Sequence, residues 1–158
     1  MKKQKFFGQL VIVFLMTLLP VFGIAQSCDP LTAKQLKDML TQMGYPVKDL
    51  NAEAGKEKYE VDLTTPNLNV PVALEISASG NFVWLTVFLG KPKDETSSVN
   101  AALLKQNFKI QPCQFYITDK GNLMMGLAVE NRGLTTVIMR RHMEKLAADV
   151  SSTNSLWQ

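Results

Sequence analysis

The amino-acid sequence predicts a small α+β domain, in which an antiparallel sheet carries helices packed mainly on one face. Apolar residues recur at helical spacing in three segments and at alternate positions in five others. The strand-like segments are grouped and joined by short turns, and they do not alternate with helices as in a parallel βαβ sheet. The predicted order is therefore helix, three strands, helix, two strands, helix.

The first helix is predicted within residues 31–43, where the apolar stripe consists of Leu36, Met39, Leu40 and Met43. Thr32 and Gln35 have the spacing of a capping box, and Gly44 followed by Pro46 ends the helix. A polar linker is expected to extend to Lys58. Two strands then alternate apolar and polar residues, at 59–63 and 70–76.

The third strand, residues 82–89, is apolar on both faces, which predicts a central position in the sheet. A charged loop leads to a short helix that ends at Asn107, and a second hairpin turns at residues 119–122. The last helix repeats Met139, Met143, Leu146, Ala147 and Val150 on one face. Residues 151–158 are expected to form a frayed tail, so the single domain covers residues 26–150.

Length and composition restrict the class of protein. A chain of 158 residues with 46% hydrophobic residues is long enough for one domain, too short for a barrel enzyme and too apolar for a disordered protein. Its two cysteines exclude a disulfide-dense scaffold. It contains neither a glycine-rich phosphate loop nor a nucleophile elbow, and the prediction is a non-enzymatic protein without a cofactor.

Residues 1–25 have the layout of a secretory signal peptide. Three lysines (Lys2, Lys3 and Lys5) precede an apolar run from Leu10 to Leu19, and small residues stand at the predicted cleavage site after Ala25. The ten-residue run is shorter than the roughly 20 residues of a membrane-spanning helix, so no transmembrane segment is expected after cleavage. An exported protein, periplasmic or secreted, is predicted.

Export also changes the meaning of the charge. The formal net charge of +3 hints at an anionic partner, but removal of the three lysines leaves 14 basic and 14 acidic residues. No nucleic-acid partner is expected for such a chain. A lipoprotein acylated at Cys28 is an alternative, because Ser27 suits the position before a lipid-carrying cysteine.

The two cysteines, Cys28 and Cys113, both remain after cleavage at Ala25. A disulfide between them is a hypothesis, since exported proteins meet an oxidising compartment. Two separate thiols are the alternative. The cysteines and the single histidine lack the close spacing of metal ligands, so no metal site is predicted.

The stretch LLKQNFKIQPCQFYITDKGNLMMGLAVENRGLTTVIMRRHMEKLAADV, residues 103–150, resembles the YbjN family within the type III secretion chaperone-like fold. The predicted order of elements over nearly the whole mature chain is similar to that fold. The resemblance implies a small, often dimeric binding protein whose relatives bind polypeptide segments on apolar patches. YbjN relatives are described as sensory transduction regulators. The secretion chaperones act in the cytosol, which a signal peptide does not fit.

Other candidate residues are better explained by structure than by chemistry. His142 follows Arg140 and Arg141 on the last helix without a positioned nucleophile, and we interpret it as a surface residue. Asp119 and Asn122 fit a hairpin turn, and Glu60 and Asp62 fit the solvent face of a strand. A basic set on and near the last helix is either an anion site or a solvated face: Arg132, Arg140, Arg141 and Lys145.

The two-sided apolar strand is the main functional hypothesis. If helices cover one face of the sheet, either Phe82, Trp84 and Phe88 or their opposite-face neighbours form an apolar patch. The expected partner is a polypeptide or a second copy of the chain in a homodimer, unless the strand is covered within its own chain. The aromatic residues are candidate binding residues, together with Arg140 and Arg141. An envelope structural or regulatory lipoprotein anchored through Cys28 is the alternative function.

Overall fold

The computed structural model describes residues 29–92 and 97–158. The helices of this part are α1 (Ala33–Gln42), α2 (Ser97–Asn107), α3 (Thr136–Ser152) and α4 (Asn154–Trp157). The strands are β1 (Lys48–Asn51), β2 (Lys58–Thr64), β3 (Asn69–Ile76), β4 (Phe82–Gly90), β5 (Gln114–Ile117) and β6 (Leu123–Glu130). The predicted α+β class and element order are confirmed, with β1 and α4 added.

The strands form one open sheet in the order β1-β2-β3-β4-β6-β5, and every pair is antiparallel. β4 lies inside the sheet, paired with β3 on one side and with β6 on the other. The expectation of a central third strand is therefore confirmed. β1 and β5 are the two edges.

The hydrophobic core lies between one face of the sheet and the helices α1 and α3. From β4 it contains Val83, Leu85, Val87 and Leu89, and from the helices Leu36, Leu40, Met139, Met143 and Leu146. The alternation of each strand puts its other side chains on the opposite face. That second sheet face, which carries Phe82, Trp84 and Phe88, is called the open face below.

The ends of α1 form as the sequence predicts. The Thr32 hydroxyl accepts a hydrogen bond from the Gln35 amide at 3.3 Å, and the Gln35 side chain accepts one from the Thr32 amide at 2.8 Å, which completes the capping box. Gly44 takes a φ of 88°, a left-handed conformation that favours glycine directly after a helix.

Two segments differ from the expected loop and tail. The polar linker before β2 contains β1, which the sequence pattern does not reveal because three of its four residues are exposed. The expected frayed tail is helical: α3 continues to Ser152 and α4 follows. The Trp157 indole donates to the carbonyl oxygen of Val150 at 3.3 Å, which ties the last turn back to α3.

Candidate binding face

The open face carries three large aromatic side chains on one strand. Phe82, Trp84 and Phe88 are 43%, 36% and 60% exposed, and we call them the aromatic strip. Their opposite-face neighbours on β4 are buried in the core. Of the two apolar sets that the sequence offers, the aromatic set is therefore the one left accessible, and no helix in residues 29–92 and 97–158 covers it.

Small side chains flank the middle of the strip on both neighbouring strands. Thr86 lies between Trp84 and Phe88 and is paired with Ala73 of β3 and with Gly126 of β6. A Cβ atom on Gly126 would lie 2.7 Å from the backbone oxygen of Leu85, so glycine is required by the close approach of β4 and β6. The neighbours of the aromatic residues are larger, since Glu75 is paired with Trp84, Glu130 with Phe82 and Met124 with Phe88.

The apolar surface continues from the strip to the β5 edge. Phe88 is paired with Met124, and Met124 with Tyr116 of β5. Beyond this edge Tyr116 and Ile117 line a cavity of about 190 Å³ with Leu104 of α2. Leu104, Phe108 and Ile117 are 68%, 82% and 47% exposed, and they form a second apolar area that we call the α2 patch. The sequence pattern does not reveal these residues, because a short helix with exposed apolar residues has no clear amphipathic pattern.

The other half of the open face is charged. Lys48 of β1 contacts Glu60 at 3.2 Å and Asp62 at 2.8 Å, both on β2. Lys58 of β2 contacts Glu75 of β3 at 3.2 Å. Glu60 and Asp62 therefore belong to surface ion pairs, consistent with their interpretation as residues of a solvent-exposed face.

The two proposed binding sets are not brought together. Arg140 and Arg141 lie on α3, which covers the opposite face of the sheet. The Arg140 guanidinium donates to the carbonyl oxygen of Met43 at 2.9 Å and to the Tyr45 hydroxyl at 3.1 Å, and it stacks on the Tyr45 ring at 5.4 Å from its centroid. Arg140 thus holds the end of α1 against α3, whereas Arg141 is exposed.

His142 is half-buried on α3. Burial lowers its pKa from the usual value, and the neighbouring positive charge of Arg141 lowers it further. The imidazole is therefore neutral at pH 7. Within the described residues, no group of three or more histidine, cysteine, aspartate or glutamate side chains is arranged to hold a metal ion.

Cys113 is buried before β5, beside Asp149 of α3. Burial raises the pKa of its thiol to about 12, and the adjacent carboxylate of Asp149 contributes to the rise. The thiol is therefore protonated and a poor nucleophile at neutral pH. Cys28, the other half of the hypothetical disulfide, lies outside the described residues, as do the signal peptide and its cleavage site, so these stay predictions.

Two solved protein complexes each contain a chain with the same fold. The chain matches one in the heterodimeric ExoU-SpcU complex of the type III secretion system of Pseudomonas aeruginosa, with a TM-score of 0.54 and 18% identity. That match covers 77% of this chain and 96% of the other. A chain of the HopA1-SchA chaperone-effector complex matches with a TM-score of 0.52 and 14% identity, over 74% of this chain and 88% of the other.

The chain therefore shares its fold with chains of these two complexes, which supports the chaperone-like fold that the element order predicts. At such low identity the matches establish the fold alone. No protein-family model matches the sequence, and no curated protein matches it. Membership of the YbjN family therefore stays a prediction. No helix in the described residues is both long and apolar enough to cross a membrane.

Proposed function

We propose that this protein is an exported, non-catalytic, chaperone-like protein that binds a polypeptide through the aromatic strip. The observation that carries the proposal is the exposure of Phe82, Trp84 and Phe88 on an inner strand of the sheet. Contiguous apolar surface of this kind, bordered by charged residues, is typical of protein interaction sites. Aromatic residues are also enriched among those that contribute most to protein–protein binding.

Two features of the fold support binding over catalysis. The residues that border the strip are mostly small or apolar, with one carboxylate on each side, Glu75 and Glu130, and Glu75 is paired with Lys58. Both structures that share the fold are complexes of two proteins, one a heterodimer of the type III secretion system and the other a chaperone-effector complex. A polypeptide partner fits both observations.

The test compares substitutions in the strip with a matched control. Trp84→Ser and Phe88→Ser should remove most of the fluorescence of a hydrophobic dye bound to the mature protein. Val137→Ser is the control, because Val137 is 75% exposed but lies on α3, away from the open face. Circular dichroism checks that all three variants are folded.

A photo-reactive amino acid at position 88 should then crosslink a discrete polypeptide in the native envelope, whereas the same amino acid at position 137 should not. Mass spectrometry of the crosslinked product identifies the partner. The proposal fails if the protein is found to be strictly monomeric, if it binds no dye, and if position 88 captures no more polypeptide than position 137.

Self-association is a second candidate, and the α2 patch favours it. Leu104 of α2 and Phe108, directly after its last residue, expose apolar side chains, and Leu104 lines a cavity with Tyr116 and Ile117 of the β5 edge. A homodimer formed here would leave the aromatic strip free for a partner. Light scattering on the mature protein and on Phe108→Ser tests it: a dimer that becomes a monomer supports this assignment, and a monomeric wild-type protein contradicts it.

Export is part of the proposal and rests on the sequence of residues 1–25. N-terminal sequencing of the mature protein should begin at Gln26. If the protein is instead acylated at Cys28, fatty acid will be found on its N-terminus and detergent will be needed to release it from membranes. Release by salt or without treatment would favour the soluble exported form.

A further inference from the structure

The shape of the polypeptide that fits the aromatic strip can be inferred from the hydrogen bonding of the sheet around it. β4 pairs with β6 along nearly its whole length and with β3 at Val83–Thr86, and the backbone groups of a strand point along the plane of the sheet and not out of its face. A partner that lies on the strip therefore meets side chains and finds no row of free backbone donors and acceptors. Only an edge strand offers such a row.

The β5 edge is blocked by a side chain of its own protein. The Phe115 amide donates to Asn107 Oδ1 at 2.7 Å, and Asn107 Nδ2 donates to the Phe115 carbonyl oxygen at 3.2 Å. The Asn107 carboxamide thus takes the hydrogen bonds that an added strand would make at the centre of this four-residue strand. Natural sheets discourage strand addition in such ways.

The β1 edge is also a poor template for an added strand. β1 is four residues long and has a register shift between Asp49 and Asn51. Its charged side chains are held by ion pairs, including Lys37 with Asp49 at 2.7 Å. Short, irregular and charged edge strands disfavour pairing with another chain.

A helix suits a surface that offers side chains only. Its backbone hydrogen bonds are satisfied internally, whereas an extended segment that covers an apolar strip loses solvation of its backbone groups, at about 1–3 kcal/mol for each one left unpaired. Phe82 and Phe88 are six residues apart on a strand, which corresponds to about 20 Å. A helix of about 13 residues has the same length, since each residue adds about 1.5 Å.

Charge indicates the composition of that helix. Glu75 pairs with Trp84 across β3–β4, and Glu130 pairs with Phe82 across β4–β6, so a carboxylate lies on each side of the strip. Glu75 is paired with Lys58 at 3.2 Å, and farther out Glu60 and Asp62 share Lys48, so these four carboxylates face two lysines. Lysine or arginine on the flanks of the helix would complement these carboxylates.

We propose that the open face binds an amphipathic α-helix of its partner, about 13 residues long, with an apolar stripe on Phe82, Trp84 and Phe88 and basic residues on its flanks. The helix adds a third layer to the sheet, opposite α1 and α3. This inference rests on the proposed function, because it specifies the polypeptide that the strip takes. It concerns the form of the partner and leaves its identity open.

The experiment uses two labelled probes of leucine and lysine, each about 14 residues long and identical in composition. One probe places leucine at helical spacing, and the other alternates leucine and lysine as in a strand. Fluorescence anisotropy with the mature protein should show at least about tenfold tighter binding of the helical probe. Circular dichroism should show that this probe gains helix on binding.

Variants locate the binding site. Phe88→Ser should abolish binding of the helical probe, and the double variant Glu75→Gln/Glu130→Gln should weaken it by about twofold to tenfold. Glu144→Gln is the matched control, because Glu144 is exposed on α3, away from the open face, and its replacement should leave binding unchanged. A probe with glutamate in place of lysine should bind at least about tenfold more weakly.

Each contrary result has a distinct meaning. Equal or tighter binding of the alternating probe overturns the inference, as does equal binding of the glutamate probe. If neither probe binds but the dye still binds in a way that depends on Trp84 and Phe88, the helix is wrong and the proposed function stands. If Phe88→Ser converts a dimer into a monomer, a second copy covers the strip and the inference fails.

Discussion

Replacement of Asn131 by alanine tests how the fold positions the start of β4. Asn131 is fully buried, directly after β6. Its Oδ1 accepts a hydrogen bond from the Leu31 amide at 3.1 Å, and its Nδ2 donates to the carbonyl oxygens of Leu31 at 3.0 Å and Gly80 at 2.8 Å. One side chain thus connects the residue before the α1 cap to the turn that precedes Phe82.

The expected loss of stability follows from these three bonds. Each contributes about 0.5–1.5 kcal/mol net, and alanine leaves all three backbone partners unsatisfied, so Asn131→Ala should lower the free energy of unfolding by about 3 kcal/mol. For a domain of this size that corresponds to a fall in Tm of about 12 °C. Thermal and urea denaturation of the mature protein, followed by circular dichroism, measure both quantities.

Asn67→Ala is the matched control, because Asn67 is exposed in the turn between β2 and β3. It should change the free energy of unfolding by less than about 0.5 kcal/mol. The reasoning is refuted if the Tm of Asn131→Ala stays within about 2 °C of that of the control. Such a result would mean that water or a local shift replaces the three bonds without cost.

Three further predictions use the same denaturation and labelling assays. Arg140→Ala should lower the free energy of unfolding by about 1–3 kcal/mol, because it loses two hydrogen bonds and the stacking on Tyr45. Arg141→Ala is the control and should have little effect. Equal effects of the two substitutions would contradict the role of Arg140. Gly126→Ala should lower the free energy of unfolding by about 1–3 kcal/mol, because the added Cβ would lie 2.7 Å from the backbone oxygen of Leu85. Ala128→Ser, at an exposed position of the same strand, is the control. A smaller loss of stability for Gly126→Ala than for the control would exclude this clash. The reduced protein should keep Cys113 unreactive towards a thiol reagent at pH 8 until it is unfolded. Burial raises the pKa of the folded thiol from 9.0 to about 12, so the native state holds this proton more tightly than the unfolded state does. The contribution of Cys113 to the free energy of unfolding is therefore constant below about pH 9 and falls as the pH rises towards 12. Cys113→Ala should lack this fall. Rapid labelling of the native reduced protein would show that the thiol is accessible, and absence of labelling after unfolding without reductant would indicate a disulfide.

Much of the fold can be predicted from the sequence because its elements are locally encoded. The capping box of Thr32 and Gln35, the alternation in β2 and β3 and the turn at residues 119–122 each depend on neighbours in the chain. β1 could not be predicted in this way. Its exposed residues Lys48, Asp49 and Leu50 have no apolar alternation, and the strand forms because β2 provides a partner.

The candidate site was predicted only as a choice between two sets of residues. Alternation assigns Phe82, Trp84 and Phe88 to one face of a strand and Val83 and Leu85 to the other, but it does not say which face the helices cover. The α2 patch was missed because exposure of Leu104 and Phe108 depends on how α2 sits against β5. Arg140 was predicted to belong to an anion site or a solvated face, and its role at the end of α1 was not foreseen because its partners, Met43 and Tyr45, are almost a hundred residues away.

By itself, then, the sequence determined the fold class, the order of most elements and the presence of a strand with apolar residues on both sides. These properties follow from periodicity and turn chemistry, which act over a few residues. The tertiary structure alone decided that the aromatic side of β4 is exposed, that Asn107 closes the β5 edge and that Asn131 fastens α1 to the β3–β4 turn. The exposed face and the Asn131 bonds depend on contacts between distant parts of the chain, and the Asn107 bonds depend on how the irregular segment 108–113 folds back onto α2. Neither kind of contact leaves a periodic signal in a single sequence.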